Sequence, residues 1–163
     1  MKNHFVLAYA GNKRQEVERI YDTLDLTGIT TIVEPFCGTC AMSFYIASKN
    51  PGVFTYVLND IDKQLIQLLE ILKNPQALEL FQNDVNTLAM TIVDKTSYKE
   101  AIKPYKTNLA AWYIRQKIYA IKAGLYRIGY VYKFINISEC PIVQFLQSEN
   151  VKISNLNGIQ MLE

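Results

Sequence analysis

Metal and thiol chemistry have little to draw on here: the 163 residues hold one histidine, His4, and three cysteines, Cys37, Cys40 and Cys140. A structural zinc site takes about four ligands, and His4 and Cys140 lie far in sequence from the Cys37-Gly38-Thr39-Cys40 pair. No apolar run approaches the roughly 20 residues that a membrane span needs. The N-terminal MKNHFVLAYAGNKR has too short an apolar stretch for a secretory signal and lacks a small-residue cleavage site. Internal repeats and low-complexity linkers are also missing. These absences, with the sparse cysteines, point to a cytoplasmic protein with no membrane partner. Half of the residues are hydrophobic. The mean hydropathy is +0.02. Together these describe a globular chain long enough for one domain with a real core.

Net charge is only +2, but the cations are unevenly placed. Lys95, Lys99, Lys103, Lys106, Arg115, Lys117, Lys122, Arg127 and Lys133 are opposed within their segment by Glu100 alone. Tyr98, Tyr105, Trp112, Tyr113, Tyr119, Tyr126, Tyr130 and Tyr132 are interleaved with them. Cations that meet phosphates and rings that stack on bases suit a nucleic acid surface. A solvated helix face with tyrosines in the core is the competing reading.

Hydrophobic spacing predicts an amphipathic helix over 14–26, closed by Gly28. A buried strand follows at 30–34, then a helix over 41–48 stopped by Asn50-Pro51-Gly52. A second strand spans 54–58. Asp62 is a good N-cap for a helix over 63–72, and Pro75 starts a longer one to about Val93. This β-α-β-α order is a parallel sheet under construction. Residues 76–125 then read as mainly helical, 130–137 as extended, 141–147 as a short helix and 151–154 as another strand, with a helix starting near Asn157. The expected organisation is an α/β domain, 1–75 and 142–163, interrupted by a basic helical insert, 76–141. Three strands make an incomplete doubly wound sheet with an exposed edge.

Glu34-Pro35-Phe36-Cys37-Gly38-Thr39-Cys40 is the most informative stretch. A strand, a tight glycine turn and a helix start, near Thr39, are how an α/β fold presents backbone N–H groups to a ligand. Carboxylates flank the turn: Glu34 before it, and Asp60 at the end of the next strand. They suit ribose hydroxyls or a cationic ligand and repel a pyrophosphate. Cys37 and Cys40 also form a C-x-x-C at a helix mouth, open to three readings: a redox pair, half a zinc site, or two small buried side chains. The last is the simplest for the thiols themselves.

Four landmarks stand in order: Phe5-Val6-Leu7-Ala8-Tyr9-Ala10-Gly11-Asn12-Lys13, then Glu34-Pro35-Phe36-Cys37-Gly38, then Leu58-Asn59-Asp60-Ile61-Asp62 with Leu65-Ile66, and finally Gly124-Leu125-Tyr126-Arg127. In this order the chain resembles the Dam-like (class alpha) DNA adenine-N6 methyltransferases over essentially its whole length. The resemblance implies a partial Rossmann-like sheet and methyl transfer from S-adenosylmethionine to adenine in double-stranded DNA. Tyr9, Ala10, Gly11 and Lys13 match the N-terminal cofactor motif. Glu34, Pro35, Phe36 and Gly38 match the main cofactor loop, and Asp60 matches the acid that binds the ribose hydroxyls, for which a carboxylate is a natural double acceptor. Arg127 matches an arginine that reads a guanine edge. Lys117, Lys122, Gly124, Tyr126 and Lys133 fall in the corresponding target-recognition insert.

The chain departs from the family pattern in three places. Cys40 stands where the family usually has a second glycine, so a side chain there could narrow the methionine pocket. Ala123 precedes Gly124, where relatives often carry a polar residue. The catalytic Asp-Pro-Pro-Tyr occurs nowhere in the sequence. The resemblance therefore implies no catalytic residue in this chain. Two expectations follow: a cofactor- and DNA-binding part whose catalytic motif comes from elsewhere, a second chain included, or an inactive methyltransferase-like module that binds DNA or protein.

Overall fold

β-Branched and aromatic runs make three short strands, β1 (Thr31–Glu34), β2 (Thr55–Asn59) and β3 (Val151–Ser154). They form a parallel sheet in the order β1-β2-β3. The computed structural model describes Leu7, Lys13 and residues 15–120 and 136–161. The register places Ile32 beside Tyr56 and Tyr56 beside Val151, so these three residues share one face of the sheet.

Parallel neighbours need crossover connections, usually helical. The first is α2 (Ala41–Lys49). The second is long: α3 (Lys63–Lys73), α4 (Pro75–Met90), α5 (Lys95–Ile102), α6 (Leu109–Ala120) and α7 (Pro141–Leu146). Among the described residues, α2 and α7 lie on the Tyr56 face. Ser43 of α2 bonds to Glu34, and Phe145 of α7 packs edge-to-face on Tyr56 at 5.1 Å between ring centroids. The α3 side chain of Lys73 donates to the carbonyl of Val151. One core runs from the sheet through α3, where Leu65, Leu68, Leu69 and Leu72 are buried, into α4 and α6. Phe81 of α4 meets Tyr113 of α6 edge-to-face at 5.6 Å.

Local chemistry sets the helix ends. Asp62 caps α3 through the amides of Gln64 and Leu65, at 3.0 and 3.2 Å. Asn74 ends α3 and caps α4 through Ala77 at 3.0 Å, with Pro75 in the first turn where its missing N–H costs nothing. The α4 helix stops at Met90 rather than near Val93, because Asp94 and Ser97 form a capping box that starts α5. The helix expected over 14–26 is only α1 (Val17–Tyr21). The Asp22 amide closes back on the Glu18 carbonyl, and Asp25 holds the Thr27 amide in a turn. Near Asn157 the chain forms a short 3-10 helix, Gly158–Met161. The extended stretch expected at 130–137 lies outside the described residues except at its end, where Asn136 is irregular and Ile137 is in a bend.

The strand ends are tied by one buried side chain, Asn59, which is 0 % exposed. Its amide nitrogen donates to the carbonyls of Pro35 and Leu156 at 2.9 and 3.0 Å. Its oxygen accepts from the Ser154 hydroxyl and the Leu156 amide at 2.9 and 2.8 Å. Two donors and two acceptor sites are all that a carboxamide offers, and all are used. Asn59→Leu leaves four partner groups short of a bond in the interior, so we expect a loss of about 3 kcal/mol in urea unfolding. A loss under about 1 kcal/mol would contradict this role.

Candidate functional site

Ligands of open α/β sheets sit outside the carboxyl ends of the strands, and here those ends carry a rigid loop. After β1 the chain crosses above β2. The Cys37 amide donates to the Asn59 carbonyl at 2.7 Å, and the Gly38 amide to Asp60 Oδ2 at 2.9 Å. Asp60 Oδ1 accepts from the Asp62 amide at 3.0 Å, and the Asp60 carbonyl accepts from Asn155 at 2.7 Å. A carboxylate has about four acceptor positions. Asp60 spends one per oxygen on the loops, and it is only partly buried. Its remaining positions suit a pair of hydroxyls.

Backbone geometry explains the glycine and singles out Cys40. Gly38 adopts φ +50°, a left-handed conformation that glycine takes without penalty. Cys40 adopts φ +57° and is the one non-glycine residue with positive φ among the described residues. A side chain in that region costs on the order of 1–2 kcal/mol. The turn thus demands a left-handed residue at a position where this chain has a cysteine. The helix begins two residues later than expected for a start at Thr39, at Ala41, with Cys40 as its N-cap residue. Cys40 is fully buried, and its sulfur turns toward the Gly38 carbonyl at 3.9 Å, inside the protein.

Both loop cysteines are buried, at 4 % exposure for Cys37 and 0 % for Cys40. The hydrogen bond to Cys37 and burial together push the Cys40 thiol well above the usual range. An activated redox thiol needs the opposite shift and some exposure, so the geometry favours two packed thiols. No group of three metal-ligating side chains that could hold an ion is found among the described residues.

Glu34 faces the helix rather than the solvent side of the loop. Its carboxylate accepts from the Ser43 hydroxyl at 2.6 Å and from the Ser43 amide at 3.3 Å. It thereby supplies the acceptor that Cys40 does not provide at this helix start. Desolvation raises the Glu34 pKa to about 7, the Ser43 bonds oppose the shift, and the charge on Asp60 adds to it.

Four apolar groups at this end of the sheet are exposed: Phe36 and Ile61, each 66 % exposed, with Leu156 and Ile159 at 49 % and 64 % on the turn and 3-10 helix after β3. That turn is tight. A Cβ on Gly158 would lie 2.5 Å from the Phe36 ring. Sequence reasoning passed over Ile61, Leu156 and the Asn59 hub. A polar Asn at a strand end beside an Asp was the available signal for the hub.

The structure therefore brings together Glu34, Pro35, Phe36, Gly38 and Asp60. Lys13 is exposed, and its ion pair is with Glu16 at 3.3 Å. Tyr9, Ala10 and Gly11 lie outside the described residues, as do Lys122, Gly124, Tyr126, Arg127 and Lys133. Lys117 falls on α6. In the basic segment, Lys95, Lys99, Lys103 and Lys106 are exposed. Tyr98, Trp112 and Tyr113 are core residues, with exposures of 7 %, 3 % and 0 %. Helical spacing turns them inward, so they do not form a stacking surface. Tyr105 is half-buried, with the Arg115 guanidinium 3.8 Å from its ring centre.

A parallel α/β sheet with a glycine loop and an acid at adjacent strand ends has the arrangement at which open α/β sheets take their ligands. The chain belongs to the D12 class N6 adenine-specific DNA methyltransferase family, whose model matches residues 9–137. No curated protein matches the chain. No helix among the described residues is long and apolar enough to cross a membrane.

The shift of Glu34 has a measurable consequence. Its ordinary pKa is 4.5, and in the folded protein it is about 7. Between those values the folded protein holds a proton that the unfolded chain has released, so stability falls as pH rises through that window. We expect Glu34→Gln, which still accepts from Ser43, to flatten this decline in denaturation curves taken from pH 4.5 to 7.5. An unchanged slope would show that other groups cause it.

Proposed function

We propose that this chain binds S-adenosylmethionine at the carboxyl ends of β1 and β2, within a Rossmann-like methyltransferase sheet, and offers the segment 76–141 to double-stranded DNA. The carrying observation is Asp60, held by the Gly38 and Asp62 amides with acceptor positions to spare. These would take the ribose hydroxyls, whereas a phosphate would be repelled. Exposed Ile61 and Leu156 would flank the adenine ring, and Phe36 would lie against the rest of the cofactor. The cofactor supplies an activated methyl group. The protein's contribution is to fix its position. Tyr9, Ala10, Gly11 and Lys13 would complete the pocket, with the lysine paired to the cofactor carboxylate.

Lys95, Lys99, Lys103 and Lys106 supply phosphate contacts that position without reading sequence, as would Lys117, Lys122 and Lys133. Arg127, with Gly124 and Tyr126, would face the bases. Methyl transfer also needs groups that hold the adenine amine in line with the methyl. The sequence contains no Asp-Pro-Pro-Tyr, so we assign that step to a part outside these residues. The chain would work in the cytoplasm, where its DNA substrate is accessible.

Calorimetry tests the cofactor reading. Wild type should bind S-adenosylmethionine, and Asp60→Ala should weaken binding at least about tenfold. Asp60→Asn should fall between them, because it keeps an acceptor for the Gly38 amide. Failure of the folded wild type to bind would favour an inactive methyltransferase-like module that binds DNA or protein. Duplex DNA binding should weaken steeply with salt. Lys99→Gln combined with Lys106→Gln should lower affinity equally for all sequences and reduce the salt slope by about 2. A sequence-dependent loss would move these lysines from phosphates to bases.

A further inference from the structure

Arg115 differs from the lysines of the basic segment in how it is held. It is half-buried on α6, and its guanidinium lies 3.8 Å from the ring centre of Tyr105. An arginine plane stacked on an aromatic face keeps its edge N–H groups for a partner. Tyr105 is itself fixed. Its amide donates to the Ile102 carbonyl at 3.1 Å, at the end of α5, and its carbonyl accepts from the Gln64 side chain at 2.6 Å. The turn behind it is closed by the amides of Thr107 and Asn108 on the Pro104 carbonyl, at 2.9 and 2.8 Å. Burial raises the pKa of Tyr98, on α5, and the charge on Arg115 opposes the rise. Arg115 therefore lies where α5, α6 and the turn between them meet.

The Gln64 bond also ties that junction to the strand ends. Gln64 is in the first turn of α3. Its amide donates to Asp62, whose own amide donates to Asp60, each at 3.0 Å. One chain of contacts thus runs from Asp60 through Asp62, Gln64 and Tyr105 to Arg115. The ion pairs among the described residues are Lys13–Glu16 and Lys103–Glu100, so no carboxylate there neutralises Arg115. Lys103 and Lys106, on either side of Tyr105 in sequence, are exposed. A half-buried guanidinium has lost part of its hydration, and here no described anion replaces it. Its cationic neighbours favour an anion from outside that is one of a row. A guanine edge is the other partner for an arginine fork. Reaching into a groove takes a free, extended side chain, and this one is laid against Tyr105.

We infer that Arg115, stacked on Tyr105, holds a backbone phosphate of duplex DNA beside the strand ends that carry Asp60. The contact positions the duplex and reads no sequence. Tyr105 is a positioning residue that acts through Arg115 by fixing the guanidinium. That the anion is a DNA phosphate rests on the DNA-binding reading above. The site itself rests on geometry and charge.

Two unrelated duplexes of about 20 base pairs, titrated without cofactor at several salt concentrations, supply the test. Arg115→Gln should weaken binding of both duplexes at least about fivefold and lower the salt slope by about 1. Arg115→Lys keeps the charge and loses the planar stack, so affinity should fall less and the slope should stay. Tyr105→Leu should weaken binding with the slope unchanged. Added to Arg115→Gln it should cost nothing further, because both changes remove one contact. Circular dichroism checks the folding of each variant. Binding unaffected by Arg115→Gln overturns the inference and leaves the DNA-binding reading intact. So does a loss with no change in slope, which marks a structural role. A loss confined to one duplex moves Arg115 to a base edge and also overturns it. Wild type that binds neither duplex overturns the DNA-binding reading and the phosphate contact together. With no cofactor present, none of these outcomes depends on S-adenosylmethionine.

Discussion

Everything at the carboxyl ends of the three strands depends on the saturated hydrogen bonding of one buried carboxamide. Asn59 joins the loop after β1 to the turn after β3 while standing at the end of β2. With its partners in place, the next residue, Asp60, has little freedom. Its carboxylate meets the Gly38 amide, and its carbonyl meets Asn155. An interior amide left half-bonded would cost more than it contributes. The two loops are therefore placed together or not at all.

The loop between β1 and α2 shows a second kind of constraint, set by backbone conformation. Gly38 turns at φ +50° at no cost, and Cys40 turns at φ +57° against its own side chain. Burial of the thiol and the Glu34–Ser43 bonds at the helix start help to offset that strain. The same arrangement buries both thiols and ties Glu34 to the start of α2. Both Ser43 bonds fall on Glu34 Oε2, whereas the two loop amides are shared between the two oxygens of Asp60.

The fold was legible where a single local rule decided the outcome. Asp62 and Asn74 announced their helices because capping is a contact between near neighbours. The strands at 31–34 and 55–59 followed from β-branched residues between turn signals. Local rules failed where partners were distant or competing. The expected helix over 14–26 shrank to Val17–Tyr21 as the amides of Thr23 and Leu24 closed i→i−3 turns and Asp25 held the Thr27 amide. The tyrosines of the basic segment looked like stacking groups. Tyr98 and Tyr113 went into the core because α5 packs on α6 and α6 packs on α3 and α4.

Sequence by itself determined the class of fold, the order of the landmarks, the glycine turn with its two acids and the family to which the chain belongs. Each is carried by residue types close together in the chain or by their order along it. Only the tertiary structure decided that Glu34 bonds to the start of α2 while Asp60 ties the loop after β1 to the start of α3. It alone showed that Cys40 sits in a left-handed turn with its thiol inward, and that Asn59 holds three strand ends together. The contacts of Asn59 with Leu156 and of Asp60 with Asn155 span 97 and 95 residues. A bond of that range exists only once the parallel sheet has brought β3 beside β2.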